Sequence, residues 1–255
     1  NVFLTIQEFV NKYIYSSSFQ HLTELSISKK YDSLNYNNPL VLLVFIGDEK
    51  IGINLINKIM EYKKIENELN VAFCFHKNIY KRNSKELKKM IKDNFDCYTI
   101  YVSNEFGNDI LPTLLMYSDI NKKNDFKHVI KLHTKNNSSQ YENSTNFLLS
   151  VSINELITQK MDNCNCIGYT YIDISQESFN NEIKQLYQNE INMNHLFVPG
   201  TIFYTNNIVL NAVLSLMKNI NYRSFFLNNL YDTNAINDTF SPIHFLERLF
   251  GVIKL

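Results

Sequence analysis

The run "PLVLLVFIG" at positions 39–47 is apolar at every position between its Pro and its Gly. A strand with one face in water alternates, whereas a run without alternation needs cover on both faces. A helical pattern follows, with Ile51, Leu55, Ile56, Ile59 and Met60 on one side. The same alternation then repeats. "LNVAFCFHK" (69–77) reads as a second strand, "SKELKKMIKDN" (84–94) as a helix with Ser84 as its N-cap, and "CYTIYVS" (97–103) as a third strand. A helix-like "LPTLLMYSDI" leads to the fourth strand, "HVIKLH". Strand–helix units at this pitch predict an α/β fold, a doubly wound and mostly parallel sheet with helices on both faces.

The second half is more mixed. A helix is predicted over 145–161, a strand over 166–175, a strand pair or one strand with a bend at Pro199–Gly200 over 196–206, a helix from Asn207, and a closing helix entered through Ser241-Pro242. Before the first strand, Val2, Phe3, Ile6, Phe9, Val10 and Tyr13 have helical spacing, and 35–39 reads as a linker. The organisation expected is a helical extension over 1–38 and one large domain over 39–255, split near residue 137 into two halves. The first residue is Asn, so the chain is expected to be a processed chain or, in preference, part of a longer, multi-domain protein.

Composition narrows the function classes. Lys+Arg and Asp+Glu are both 25, so no global charge favours nucleic acid or an anionic membrane, and any anion site must be local. No apolar run is long enough to span a bilayer. Cys74 and Cys97 lie in strand-like runs, and Cys164-x-Cys166 has poor zinc spacing, which together point to reduced thiols and a cytoplasmic location. There is no Walker loop, no G-x-G-x-x-G, no G-x-S-x-G and no H-E-x-x-H, which counts against nucleotide hydrolases, dehydrogenases, serine hydrolases and zinc proteases.

In doubly wound sheets ligands bind beyond the carboxyl ends of the strands. That rule puts 47–50, 104–109 and 131–135 on one rim. Lys131, His133 and Lys135 alternate, so on a strand they point the same way, either as a compact anion site suited to a diphosphate or as a solvated strand end. In "NEFGNDI" (104–110), Gly107 permits unusual backbone and Asp109 either caps a helix or binds a sugar hydroxyl. Gly200 marks a bulge or a close approach to a ligand. His244, Glu247 and Arg248 fall within one helical turn, as a base cluster or as an ion pair, with Asp232 and Asp238 as further carboxylates in the preceding loop.

Taken in order, "NEFGNDI", "KLHTK", "VPGTIFY" and "HFLERLFG" resemble the rhamnan synthesis protein F family of glycosyltransferases, including the domains of this kind found in giant viruses with AT-rich genomes. The match covers about 40–252; "GDEK" (47–50) lacks the aromatic and histidine residues seen there in the family, and Tyr204 stands where Trp is usual. The resemblance implies a GT-A-like enzyme that moves a sugar, for instance rhamnose or another deoxyhexose, from a dTDP-, UDP- or GDP-sugar to a glycan or glycoconjugate acceptor in polysaccharide biosynthesis. In a viral member the location would be the host cytoplasm. Ordinary GT-A enzymes end this strand in Asp-x-Asp, which holds a divalent cation, where this chain has Lys131, His133 and Lys135. Transfer without a metal or other cofactor is therefore expected. The donor would be held by these three residues together with Asn104, Gly107, Asp109, Gly200 and Arg248, and His244, Glu247 or Asp238 would supply the base. The alternative is a non-catalytic nucleotide- or glycan-binding module of a larger transferase.

Overall fold

A computed structural model describes residues 27–82, 84–103, 109–123, 126–134, 139–174, 196–217, 242–253 and 255. Its strands are β1 (Ile27–Asp32), β2 (Leu40–Ile46), β3 (Asn70–His76), β4 (Tyr98–Ser103), β5 (His128–His133), β6 (Ile172–Asp173), β7 (Leu196–Phe197) and β8 (Phe203–Asn206). The helices are α1 (Glu49–Tyr62), α2 (Lys77–Arg82), α3 (Ser84–Asn94), α4 (Ile110–Ile120), α5 (Ser139–Leu148), α6 (Ile153–Thr158), α7 (Asn207–Met217) and α8 (Pro242–Val252).

Every residue of β2 is buried, as the unbroken apolar run requires. Leu40, Leu42, Val44 and Ile46 join a core with Leu55, Ile56 and Ile59 of α1, Leu87 and Ile91 of α3, and Leu148 of α5. Val41, Leu43 and Phe45 join the opposite core with Leu114 and Tyr117 of α4, Val209 and Val213 of α7, and Leu249 and Phe250 of α8. The period of two thus sends alternate side chains of one strand into two separate cores.

Among the described residues the main sheet has six strands in the order β1-β4-β3-β2-β5-β8. The inner pairings β4/β3, β3/β2 and β2/β5 are parallel, and β1 and β8 are antiparallel edges. The fold is thus α/β, doubly wound and mostly parallel, with helices on both faces. Strand order reverses between β2 and β5, since the chain steps outward from β2 to β4 and returns to β5 on the other side. That reversal is the switch point at which such sheets open a crevice.

Four expectations change. Residues 27–32 are not part of a helical extension: they pair with β4 as an edge strand, with a bulge between Lys29 and Tyr31, so the sheet begins before residue 39. The amphipathic stretch before them lies outside the described residues. The helix predicted over 145–161 is two helices. Ser152 caps the second by accepting from the Glu155 N–H at 3.3 Å, and Glu66 accepts from the Ile153 N–H at 2.5 Å. Of the strand predicted over 166–175, the described residues 166–174 are strand only at Ile172–Asp173, with Ile167 forming a single bridge to Tyr204. Ser84 does not cap α3; its hydroxyl donates to the Tyr80 carbonyl at 2.5 Å, bonding back to the preceding helix.

Candidate functional site

β5 sends Ile130 and Leu132 into one core and Val129 into the other, which places Lys131 and His133 on the face covered by α4, α7 and α8. The expected alternation is therefore real, but its consequence is different. Lys131 is only 1% exposed, so it is not the open cation that a strand-end position suggests. Its ammonium forms a close ion pair with Asp109 and donates to the Thr201 carbonyl at 2.7 Å, and it lies 5.9 Å from the Phe203 ring centroid. Burying a lone ammonium is prohibitive, so the partner carboxylate is a condition of its being there.

Asp109 occupies the N-cap position of α4, yet its side chain makes no capping bond. The carboxylate instead accepts from Lys131 and, at 2.7 Å, from the Thr201 hydroxyl. Burial alone would raise this carboxyl. The Lys131 ammonium, with hydrogen bonds from Lys131 and Thr201, overcomes burial and holds it well below the usual carboxylate range, and protonation of the neighbouring His133 acts in the same direction.

The turn between β7 and β8 completes the cluster. Gly200 and Thr201 are both left-handed, at φ 81° and 57°. Glycine adopts this without cost, but a β-branched residue does not, and such strain is on the order of 1–3 kcal/mol. Thr201 is held there from both ends, its carbonyl by Lys131 and its hydroxyl by Asp109, with His133 Nε2 3.2 Å from the same hydroxyl. His133 Nε2 also lies 2.7 Å from the Gly200 carbonyl, and the Gly200 N–H donates to Glu247. Arg248 Nη1 is 3.6 Å from the other Glu247 oxygen, and its guanidinium sits 4.8 Å from the Phe197 ring centroid.

Burial pushes the His133 imidazole below its ordinary value, with Lys131 adding to the effect and Asp109 opposing it. A neutral ring carries one proton, and both nitrogens face carbonyls that can only accept, Nε2 at 2.7 Å from Gly200 and Nδ1 at 3.2 Å from Thr134, so the shorter contact favours the proton on Nε2. Because its folded pKa is depressed, the unfolded chain takes up a proton first as pH falls through about 6.5. Stability contributed at neutral pH is thus lost on acidification. His133→Gln keeps an N–H donor for Gly200, and its melting temperature is expected to fall less than that of wild type between pH 7 and 5. Parallel melting curves of the two proteins over that range would refute this.

At the switch point Thr134 ties the two strands together. Its hydroxyl accepts from the Gly47 and Asp48 N–H groups at 2.8 and 3.2 Å, and its own N–H donates to the Phe45 carbonyl at 3.0 Å. Asp48 caps α1 by accepting from the Ile51 N–H at 2.9 Å.

Six of the expected site residues therefore meet: Asp109, Lys131, His133, Gly200, Glu247 and Arg248. They come from four separate segments, and Thr201, which was not singled out in the sequence, is bonded by three of them, Asp109, Lys131 and His133. Its signal was present in "VPGTIFY", but only the backbone angle shows why a Thr there matters. Asn104, Gly107, Lys135 and Asp238 lie outside the described residues, as do Asp232 and the side chain of His244. Among the described residues no group of three or more His, Cys, Asp or Glu side chains could hold a metal ion, and no helix is long and apolar enough to cross a membrane. Compared with protein-family models and with curated proteins, the sequence matches none.

Proposed function

We propose that this chain is a nucleotide-sugar-dependent glycosyltransferase acting on a glycan or glycoconjugate acceptor. The observation that carries the reading is the meeting of four distant segments around the strained Thr201 turn, at the carboxyl end of β5 beside the switch point. Buried charge and strain concentrated where a doubly wound sheet binds its ligands support a site rather than a surface accident. The segments are also those on which the family resemblance rests.

The roles are redistributed from those expected. With its charge compensated by Asp109, Lys131 holds the turn instead of meeting the donor diphosphate, and the His133 Nε2–H is committed to Gly200. The charge on the leaving nucleoside diphosphate then falls to Lys135 and Arg248. Glu247, fixed by the Gly200 N–H, is the carboxylate best held to take the acceptor hydroxyl proton. Transfer proceeds without a metal in this reading.

A nucleoside diphosphate at 100 times its Kd should stabilise the fold by about 2.7 kcal/mol, which is a rise of roughly 5–11 °C for a chain of this size. The rise should be the same with EDTA as with Mn²⁺ and should be lost in Lys135→Ala. If EDTA abolishes turnover and Mn²⁺ restores it, transfer is not metal-independent.

The internal pairing of Lys131 with Asp109 also suits a nucleotide- or glycan-binding module without catalysis. Single-turnover transfer with enzyme in excess over donor separates the two, since a module binds and transfers nothing.

A further inference from the structure

Away from the Lys131 cluster, α1 and α5 flank a cleft of about 360 Å³. These helices follow β2 and β5, the two strands of the switch point, so the cleft opens on the line where the sheet reverses. Its volume is at the small end for ligand sites. Ile51 and Leu55 form its apolar part, and the other lining residues carry polar groups. Asn54 and Lys58 come from one face of α1, and Ser139, Tyr141 and Glu142 from the first turn of α5.

The chemistry of this lining is selective. Lys58 Nζ donates to Asn146 Oδ1 at 2.6 Å and lies 3.5 Å from Glu142, so its charge is already balanced. A phosphate or carboxylate would meet no uncompensated cation among these side chains, while the Glu142 carboxylate would repel it. A hydrocarbon would strand the amide, hydroxyl and carboxylate groups without partners. What remains is a neutral ligand dense in hydroxyl groups, which can both donate to Glu142 and Asn54 and accept from Asn54, Ser139 and Lys58. Tyr141 adds an aromatic body with a polar tip, suited to a ring that has C–H faces and a hydroxyl rim. Its ring is also 6.3 Å, centre to centre and edge to face, from His133, so one wall of the cleft touches the buried cluster.

We infer that the cleft between α1 and α5 binds a neutral, hydroxyl-rich sugar ring, and that this ring is a unit of the acceptor glycan other than the one whose hydroxyl meets Glu247. Only the word acceptor rests on the transferase reading; the binding of a neutral ring does not. The site is then separate from the donor cations, and the Tyr141–His133 contact couples the two.

The test is saturation-transfer NMR on the whole chain with a panel of free hexoses, deoxyhexoses and short oligosaccharides. Asn54→Trp fills the cleft from an exposed position, and Lys58→Glu unbalances it, so neither variant disturbs a core. Saturation of sugar ring protons is expected with wild type and should fall at least fivefold in Asn54→Trp. Nucleoside diphosphate thermal shifts should be unchanged in both variants. Sugar signals equal in wild type and Asn54→Trp, or none with any sugar, would overturn the proposal. If the sugars bind but no nucleotide does, the cleft stands and the transferase reading fails. If nucleotides bind but no sugar touches the cleft, the reverse holds.

Discussion

Lys131→Met is expected to lower the melting temperature by roughly 6–20 °C at pH 7. The substitution keeps the length of the side chain and removes its charge, which leaves the Asp109 carboxylate buried with the Thr201 hydroxyl as its hydrogen-bond donor and the largely neutral His133 ring 3.9 Å away. Breaking one side of a buried pair typically costs about 3–5 kcal/mol, and each kcal/mol shifts a chain of this size by about 2–4 °C. Asp109→Asn should cost a similar amount from the other side, because it strands an ammonium that is 1% exposed. The double variant should cost less than the sum by about 0.5–3 kcal/mol, the mark of direct coupling. The pH dependence follows from the same pair. In wild type the Asp109 carboxyl is held low, so its contribution is present above the unfolded value near 3.9 and is lost as pH falls below it. In Lys131→Met that carboxyl loses its main partner and can protonate, so the gap between the proteins should be widest at neutral pH and close towards pH 4. A loss under about 2 °C at pH 7, or strictly additive costs, would show that the pair does not hold the turn.

Glu247→Gln should reduce sugar transfer by about 10²–10⁴-fold while leaving nucleoside diphosphate binding and the melting temperature close to wild type. A glutamine oxygen can still accept from the Gly200 N–H, so the left-handed turn keeps its partner, while the proton-accepting carboxylate and its charge beside Arg248 are lost. Glu247→Ala removes both and should lose stability as well as transfer. This difference separates a residue that takes the acceptor proton from one that only holds Gly200. Asp238→Ala and His244→Ala are the comparison variants, since both residues were candidates on sequence grounds. If Glu247→Gln transfers normally and one of those two does not, the base belongs to that residue instead.

The limits of the sequence are clearest at particular residues. Ile27–Asp32 was missed because a bulged edge strand carrying two adjacent lysines shows neither alternation nor an apolar run. Asp109 offered two readings, cap or ligand contact, and its side chain makes no capping bond but accepts from Lys131 and Thr201. A carboxylate's partners are set by what the fold brings across to it, here a lysine 22 positions and a threonine 92 positions further along the chain. Lys131 was placed on the right strand and the right face, yet nothing local could reveal that the turn before β8 closes over it.

The sequence by itself determined the α/β layering, the central strands and the alternation of Lys131 with His133, because these follow from periods of 2.0 and 3.6 that act over a few residues. Only the tertiary structure decided that the lysine is buried, that Asp109 is its partner, and that Thr201 is strained. Those properties depend on long-range pairing across the switch point, and burial turns a charge that would be free in water into one that must be matched.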